Sequence, residues 1–177
     1  MNLYLIRHLP TPWNQKGLLQ GSKNISIIAT NPEIEDQILK NKELLREIRF
    51  DEILVSELKR THETAKLYGF DSCKVDALVN ELDFGKYEGI EKTIMLKELG
   101  EAWFNDVRSI KLGETLLEFE ARILLFLEKY KNKENVLLFA HGAVIRAILE
   151  LSKEKNIDRM NMLHVENNSL TKVEINL

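Results

Sequence analysis

A single cysteine, Cys73, stands among 177 residues. No internal disulfide can form, and a reducing compartment, the cytoplasm, is the expected location. Cysteine-based phosphate chemistry is excluded as well, because it needs an arginine six positions later and Val79 stands there. Histidine is scarce, with four copies, His8, His62, His141 and His164, in no zinc-like spacing, so neither metal nor cofactor is expected. The chain also lacks the Asp-x-Asp of aspartyl-phosphate enzymes and the Gly-Asp of two-metal phosphoesterases. No stretch is apolar enough to span a membrane, and the opening "MNLYLIRH" is broken by Arg7 too early for a signal peptide. Positive charge is not in excess: the net charge of −3 argues against a general nucleic-acid or anionic-membrane surface. An anionic substrate would have to be met by a local cluster of cations.

What is present reads as one globular domain over residues 1–177, with 44% hydrophobic and 30% charged residues and no repeat, low-complexity tract or linker. "NLYLI" at 2–6 predicts a buried strand, followed by a loop over 8–32 rich in turn-forming residues. Helical spacing from Pro32 to Arg49 predicts a helix interrupted near Asn41. "EILVS" at 52–56 predicts a second strand, with Ser56 capping a helix that ends at Gly69, and "CKVDAL" a short third strand. Residues 80–113 show no clear period, and 82–113 is the segment free to form a small lid. An amphipathic helix is expected over 114–131, a buried strand at "NVLLFA", 135–140, and a helix after Gly142. Alternating segments near 162–166 and 169–175 predict two antiparallel strands. Strands alternating with helices make this α/β, a three-layer α/β/α sandwich with a mostly parallel central sheet.

Polar groups collect where these strands end. Arg7 and His8 follow the first, Arg60 lies one turn into the helix after the second, and His141 follows "NVLLFA". Ligands of open α/β sheets bind beyond the carboxyl ends of the strands. Guanidinium groups fork onto phosphate oxygens, and helix N-termini near Ser56 and Gly142 add dipole support. The converging set describes an anion pocket sized for a phosphoryl group. His62 is expected on the solvated surface and His164 in a strand as a structural residue. Trp13 and Trp103 are expected to pack, Trp103 with a second option at the mouth of the site.

Six segments in order, "RHLPTPWN", "SELKRTHETA", "ELDFGKYEG", "WFNDV", "GETLLEF" and "AHGAVIRAIL", with "NNSL" before the last strand, resemble the motifs of the histidine phosphatase superfamily, also called phosphoglycerate mutase-like. The resemblance covers nearly the whole chain and is nearest the alpha-ribazole and broad-specificity phosphatase branch. It implies that His8 is the nucleophile, Arg7 and Arg60 clamp the phosphoryl group, Asn14 adds a polar contact, His141 holds a non-bridging oxygen and Glu81 donates the proton. It implies a metal-independent phosphomonoesterase acting through a phosphohistidine on a small phosphorylated metabolite. Leu9 and Pro10 depart from the family pattern, where Gly and Glu are usual. They predict a stiffer nucleophile loop and a pocket narrower on that side, in a loop that is tolerated if an extended Leu9 turns its side chain away from the phosphoryl site to pack against the sheet edge. Mutase-type phosphoryl transfer, and a weakly active pseudo-phosphatase that binds a phosphorylated ligand or partner, are the alternatives. Nothing in the sequence speaks to oligomeric state.

Overall fold

A computed structural model describes residues 1–176; Leu177, the last residue of the expected domain, lies outside the described residues. Five strands form one sheet: β1 (Asn2–Arg7), β2 (Glu52–Val55), β3 (Lys74–Val75), β4 (Asn135–Ala140) and β5 (Leu170–Glu174). Their order is β3-β2-β4-β1-β5, parallel except for β5, which pairs antiparallel with β1.

Side chains alternate along each strand between two apolar layers. Leu3, Leu5, Val136 and Leu138 face a layer built with α6 (Leu116–Tyr130) and α7 (Gly142–Glu154). Tyr4, Ile6, Leu137 and Phe139 face the opposite layer, built with α2 (Pro32–Leu45) and α3 (Lys59–Leu67). The architecture is therefore the expected α/β/α arrangement.

Several local expectations are corrected. The loop after β1 contains a short helix, α1 (Pro12–Gln15), whose first turn is closed by reciprocal bonds between Thr11 and Asn14. Helix α2 runs unbroken through Asn41, because that residue turns inward and donates through Nδ2 to the Tyr68 hydroxyl at 2.7 Å and the Asn168 carbonyl at 2.8 Å. Ser56 does not cap α3, whose N-cap is Leu58; its hydroxyl instead accepts from the Leu58 N–H at 3.1 Å and faces His141. Residues 80–113 hold two further helices, α4 (Lys92–Leu99) and α5 (Ala102–Asn105). The strand expected near 162–166 does not form. β1 has β4 on one side and β5 on the other, and the segment does not pair with the free outer edge of β5 either. That segment is a 3-10 turn followed by an irregular stretch, which leaves His164 out of the sheet.

Candidate active site

The parallel pairing of β1 with β4 aligns Arg7 with Ala140, so the next residues, His8 and His141, emerge side by side at the carboxyl end of the sheet. The His8 N–H donates to the Ala140 carbonyl at 2.9 Å, and the two imidazole centroids are 5.4 Å apart.

His8 is buried, and its Nδ1 lies 2.7 Å from the Leu9 carbonyl. A carbonyl only accepts, so this contact fixes the proton on Nδ1 and leaves Nε2 with its lone pair. Burial first, then the charges of Arg60 and Arg7, push the imidazole well below its usual pKa. The ring is neutral at pH 7 without a general base. The loop behind it is held by Asn167, whose Nδ2 donates to the His8 carbonyl at 2.8 Å.

Leu9 does not narrow the pocket. Its backbone has a negative φ, so glycine's freedom is not needed there. Its side chain, 1% exposed, turns away into the apolar layer under α2 and α3. Its N–H donates to Thr64 Oγ1 at 3.0 Å. Pro10, which has no N–H to give, uses its carbonyl to accept from Ile28 at 2.9 Å.

Arg7 reaches back from the end of β1, and its Nη1 donates to the Val165 carbonyl at 2.5 Å. Its Nε is buried without a partner, and its guanidinium packs against Gly142 at the start of α7. Burial lowers its pKa, opposed by the fields of Glu81 and Glu166. Arg60 is fully buried. Its Nε donates to His141 Nδ1 at 3.1 Å, Nη1 to the Lys23 carbonyl at 2.7 Å and Nη2 to the Gly21 carbonyl at 2.9 Å. Burial brings its pKa down to about 10, which leaves it a cation at neutral pH.

His141 has both ring nitrogens occupied. Nδ1 accepts from Arg60, so the proton sits on Nε2 and is directed at Ser56 Oγ, 2.8 Å away. Burial, then Arg60, holds this ring neutral as well. His141 lies behind Arg60 and off the cavity wall. Glu81 accepts from the Leu82 N–H at 3.0 Å and from the Ala143 N–H at 3.1 Å, in the first turn of α7. Asn14 lines the same space, but its Oδ1 is taken by the Thr11 N–H and hydroxyl, so its Nδ2 is the group left for a ligand.

Arg7, His8, Asn14, Arg60 and Glu81 thus share one cavity of about 190 Å³. Trp103 is buried and also walls it, which unites the packing and mouth expectations. His62 is exposed as expected, its Nε2 2.7 Å from the Ser56 carbonyl. His164, expected in a strand, stands at the cavity edge and pairs with Glu166 at 2.6 Å. Two cations on the wall were not singled out in the sequence. Lys92 opens α4 and has no carboxylate within ion-pair distance among the described residues. Arg146, one turn into α7, makes one bond, from Nη2 to Asn161 Oδ1 at 3.3 Å, and its Nε is buried without a partner. Among the described residues no group of three or more His, Cys, Asp and Glu is placed to hold a metal.

The sequence profile of the histidine phosphatase superfamily, branch 1, matches residues 3–177. The chain belongs to this superfamily. Superfamily relatives include the adenosylcobalamin/alpha-ribazole phosphatase of Escherichia coli, 30% identical over 84% of this chain and 77% of that protein. A broad-specificity phosphatase of Saccharomyces cerevisiae is 30% identical over 98% of this chain and 79% of its own length. Among solved structures, the alpha-ribazole phosphatase of Shigella flexneri superposes with a TM-score of 0.78 at 27% identity, covering 99% of this chain and 91% of that one. The superfamily fold and the expected architecture therefore coincide.

Proposed function

We propose that this protein hydrolyses phosphate monoesters of small metabolites through a phosphohistidine on His8. The observation that carries the reading is His8, with Nδ1 against the Leu9 carbonyl and Nε2 left free, on the wall of a cavity that also holds Arg7 and the buried Arg60. In the first step Nε2 attacks phosphorus, an N–P bond forms and the P–O bond to the leaving group breaks. Glu81, carrying a proton, gives it to the departing oxygen. Water then attacks the phosphohistidine, Glu81 takes a proton back, and inorganic phosphate leaves with His8 restored. Arg7 and Arg60 stabilise the charge on the non-bridging oxygens, and Arg7 Nε is a donor available for this. His141 holds Arg60 in place through Nδ1, and to hold a non-bridging oxygen it must release Arg60 and carry a proton on Nδ1. Asn14 Nδ2 adds a polar contact. None of these steps calls for a metal.

The packing of Leu9 away from the site removes the motive for a weakly active pseudo-phosphatase and favours a working enzyme. Lys92 and Arg146 exceed what one phosphoryl group requires, and among the described residues Glu81 is the sole carboxylate on the cavity wall. Both cations face the cavity without a carboxylate partner among the described residues, so together they favour a substrate whose carbon body carries a further anion. The test is a panel assayed with and without chelator. Phosphate release from p-nitrophenyl phosphate should be unchanged by chelator. 3-Phosphoglycerate should exceed glycerol 3-phosphate in kcat/KM by about tenfold, or roughly 1.4 kcal/mol. Dependence on added magnesium would overturn the mechanism, equal use of the two metabolites would overturn the anion preference, and an isomerised phosphoester in place of glycerate would favour the mutase alternative.

A further inference from the structure

Glu114 and Arg122 flank the start of α6 in "GETLLEFEAR", and neither lines the cavity. Their side chains form a two-pronged pair, Nε to Oε2 at 2.9 Å and Nη2 to Oε1 at 2.6 Å, mostly shielded from solvent. Arg122 directs its other donors to the carbonyls of Leu78 at 2.8 Å, Asn80 at 2.7 Å and Glu81 at 3.2 Å. Glu114 Oε1 accepts from the Asp83 N–H at 3.0 Å. The guanidinium rests on the Phe119 ring, 4.6 Å from its centroid.

Apart from the pair itself, every bond these two side chains make goes to the backbone of 78–83, centred on Glu81. That stretch connects two 3-10 turns, Ala77–Val79 and Gly85–Tyr87, and has no helix or strand ladder to fix residues 80–84. The same side chains reach both flanks of Glu81. A second seam joins the loops directly: Gly113 N–H donates to the Asp83 carbonyl at 3.0 Å, and Gly85, at φ +56, approaches so closely that a Cβ there would lie 2.7 Å from the Gly113 nitrogen.

We infer that Glu114 and Arg122 are positioning residues for Glu81, clamping its backbone so that the carboxyl meets the leaving oxygen at the first turn of α7. The inference rests on Glu81 being the proton donor. A displaced donor loses its effect where the leaving group needs a proton and matters little where it does not.

The test compares glycerol 3-phosphate, an alkyl ester, with p-nitrophenyl phosphate in Glu81→Gln, Glu114→Gln, Arg122→Gln, Arg122→Lys and the double variant Glu81→Gln/Glu114→Gln. Glu114→Gln and Arg122→Gln should lose about thirtyfold or more in kcat on the alkyl ester but under about fivefold on the aryl ester, with KM little moved. Arg122→Lys should not restore the alkyl rate, because an ammonium cannot fork across three carbonyls and a carboxylate. The double variant should match Glu81→Gln alone on the alkyl ester within about twofold. Equal losses on both esters, or additive loss in the double variant, would overturn the inference and leave the pair a fold element only. Should Arg122→Gln fail to fold, the near-isosteric Glu114→Gln decides. If Glu81→Gln itself loses equally on both esters, Glu81 is not the donor; that arm identifies failure of the functional reading, and the inference falls with it.

Discussion

Leu9 sits beside the nucleophile, yet its influence is on stability, because its side chain belongs to the apolar layer under α2 and α3 and not to the cavity. Leu9→Ala should cost about 2–5 kcal/mol of folding free energy, the usual range for emptying a buried leucine site. Urea unfolding measures that loss, and the ranking of substrates should stay as in the parent; a reordered ranking with unchanged stability would contradict this placement. At this scale the cavity group was legible because Arg7, His8 and Asn14 share one motif and Arg60 and Glu81 anchor two others. The direction of a side chain was not legible. Arg146 reads in "AVIRAILEL" as one helix charge among apolar residues, and only the packing of α7 against the cavity gives it a site role. Ser56 reads as a helix cap, and its hydroxyl instead faces His141, a partner 85 positions away.

Elements with a long, regular hydrophobic period were readable, and short ones were not. β1 and β4 alternate cleanly between the two apolar layers, α6 buries one continuous face, and α7 is buried on nearly every side from Gly142 to Leu151. Helices α1 and α5, four residues each, are below the length at which local propensity sustains a helix. They persist through contacts the sequence does not display: the Thr11–Asn14 cap for α1, and for α5 the burial of Trp103, whose carbonyl accepts from Asn161 at 2.9 Å. The alternation near 162–166 resembles a strand, but pairing is a property of topology and not of the segment, and this segment joins neither free edge of the sheet, β3 or β5. The same failure has a functional consequence, since an unpaired 163–166 lets the Val165 carbonyl receive Arg7 and brings His164 to the cavity edge.

At the scale of the whole molecule, the strand order brings β1 and β4, more than a hundred residues apart in sequence, into parallel contact, and the site forms beyond their ends. The cost is two neutral imidazoles buried beside two arginines. In the unfolded chain each histidine binds a proton near pH 6.5, whereas in the fold burial and the arginine charges keep both rings unprotonated to lower pH. Below pH 6.5 the unfolded state therefore holds more protons than the native state. Stability should fall as the pH drops, by up to about 1.4 kcal/mol per pH unit for each histidine. Urea titrations at pH 7, 6 and 5 should show this slope, and it should be shallower in His8→Ala. A parent curve that is flat from pH 7 to 5 would mean that the rings are protonated in the fold. The same neutrality keeps the nucleophile competent at neutral pH, so the feature that limits acid stability also supports the chemistry.

The account stands on covalent chemistry at His8 Nε2, and rapid quench with a phosphate-labelled substrate tests it most directly. The expected result is a phosphoenzyme that is labile in acid and stable in base, located at His8 by peptide mapping and absent from His8→Ala. Label on a serine or an aspartate, or steady phosphate release by His8→Ala at the parent rate, would contradict it.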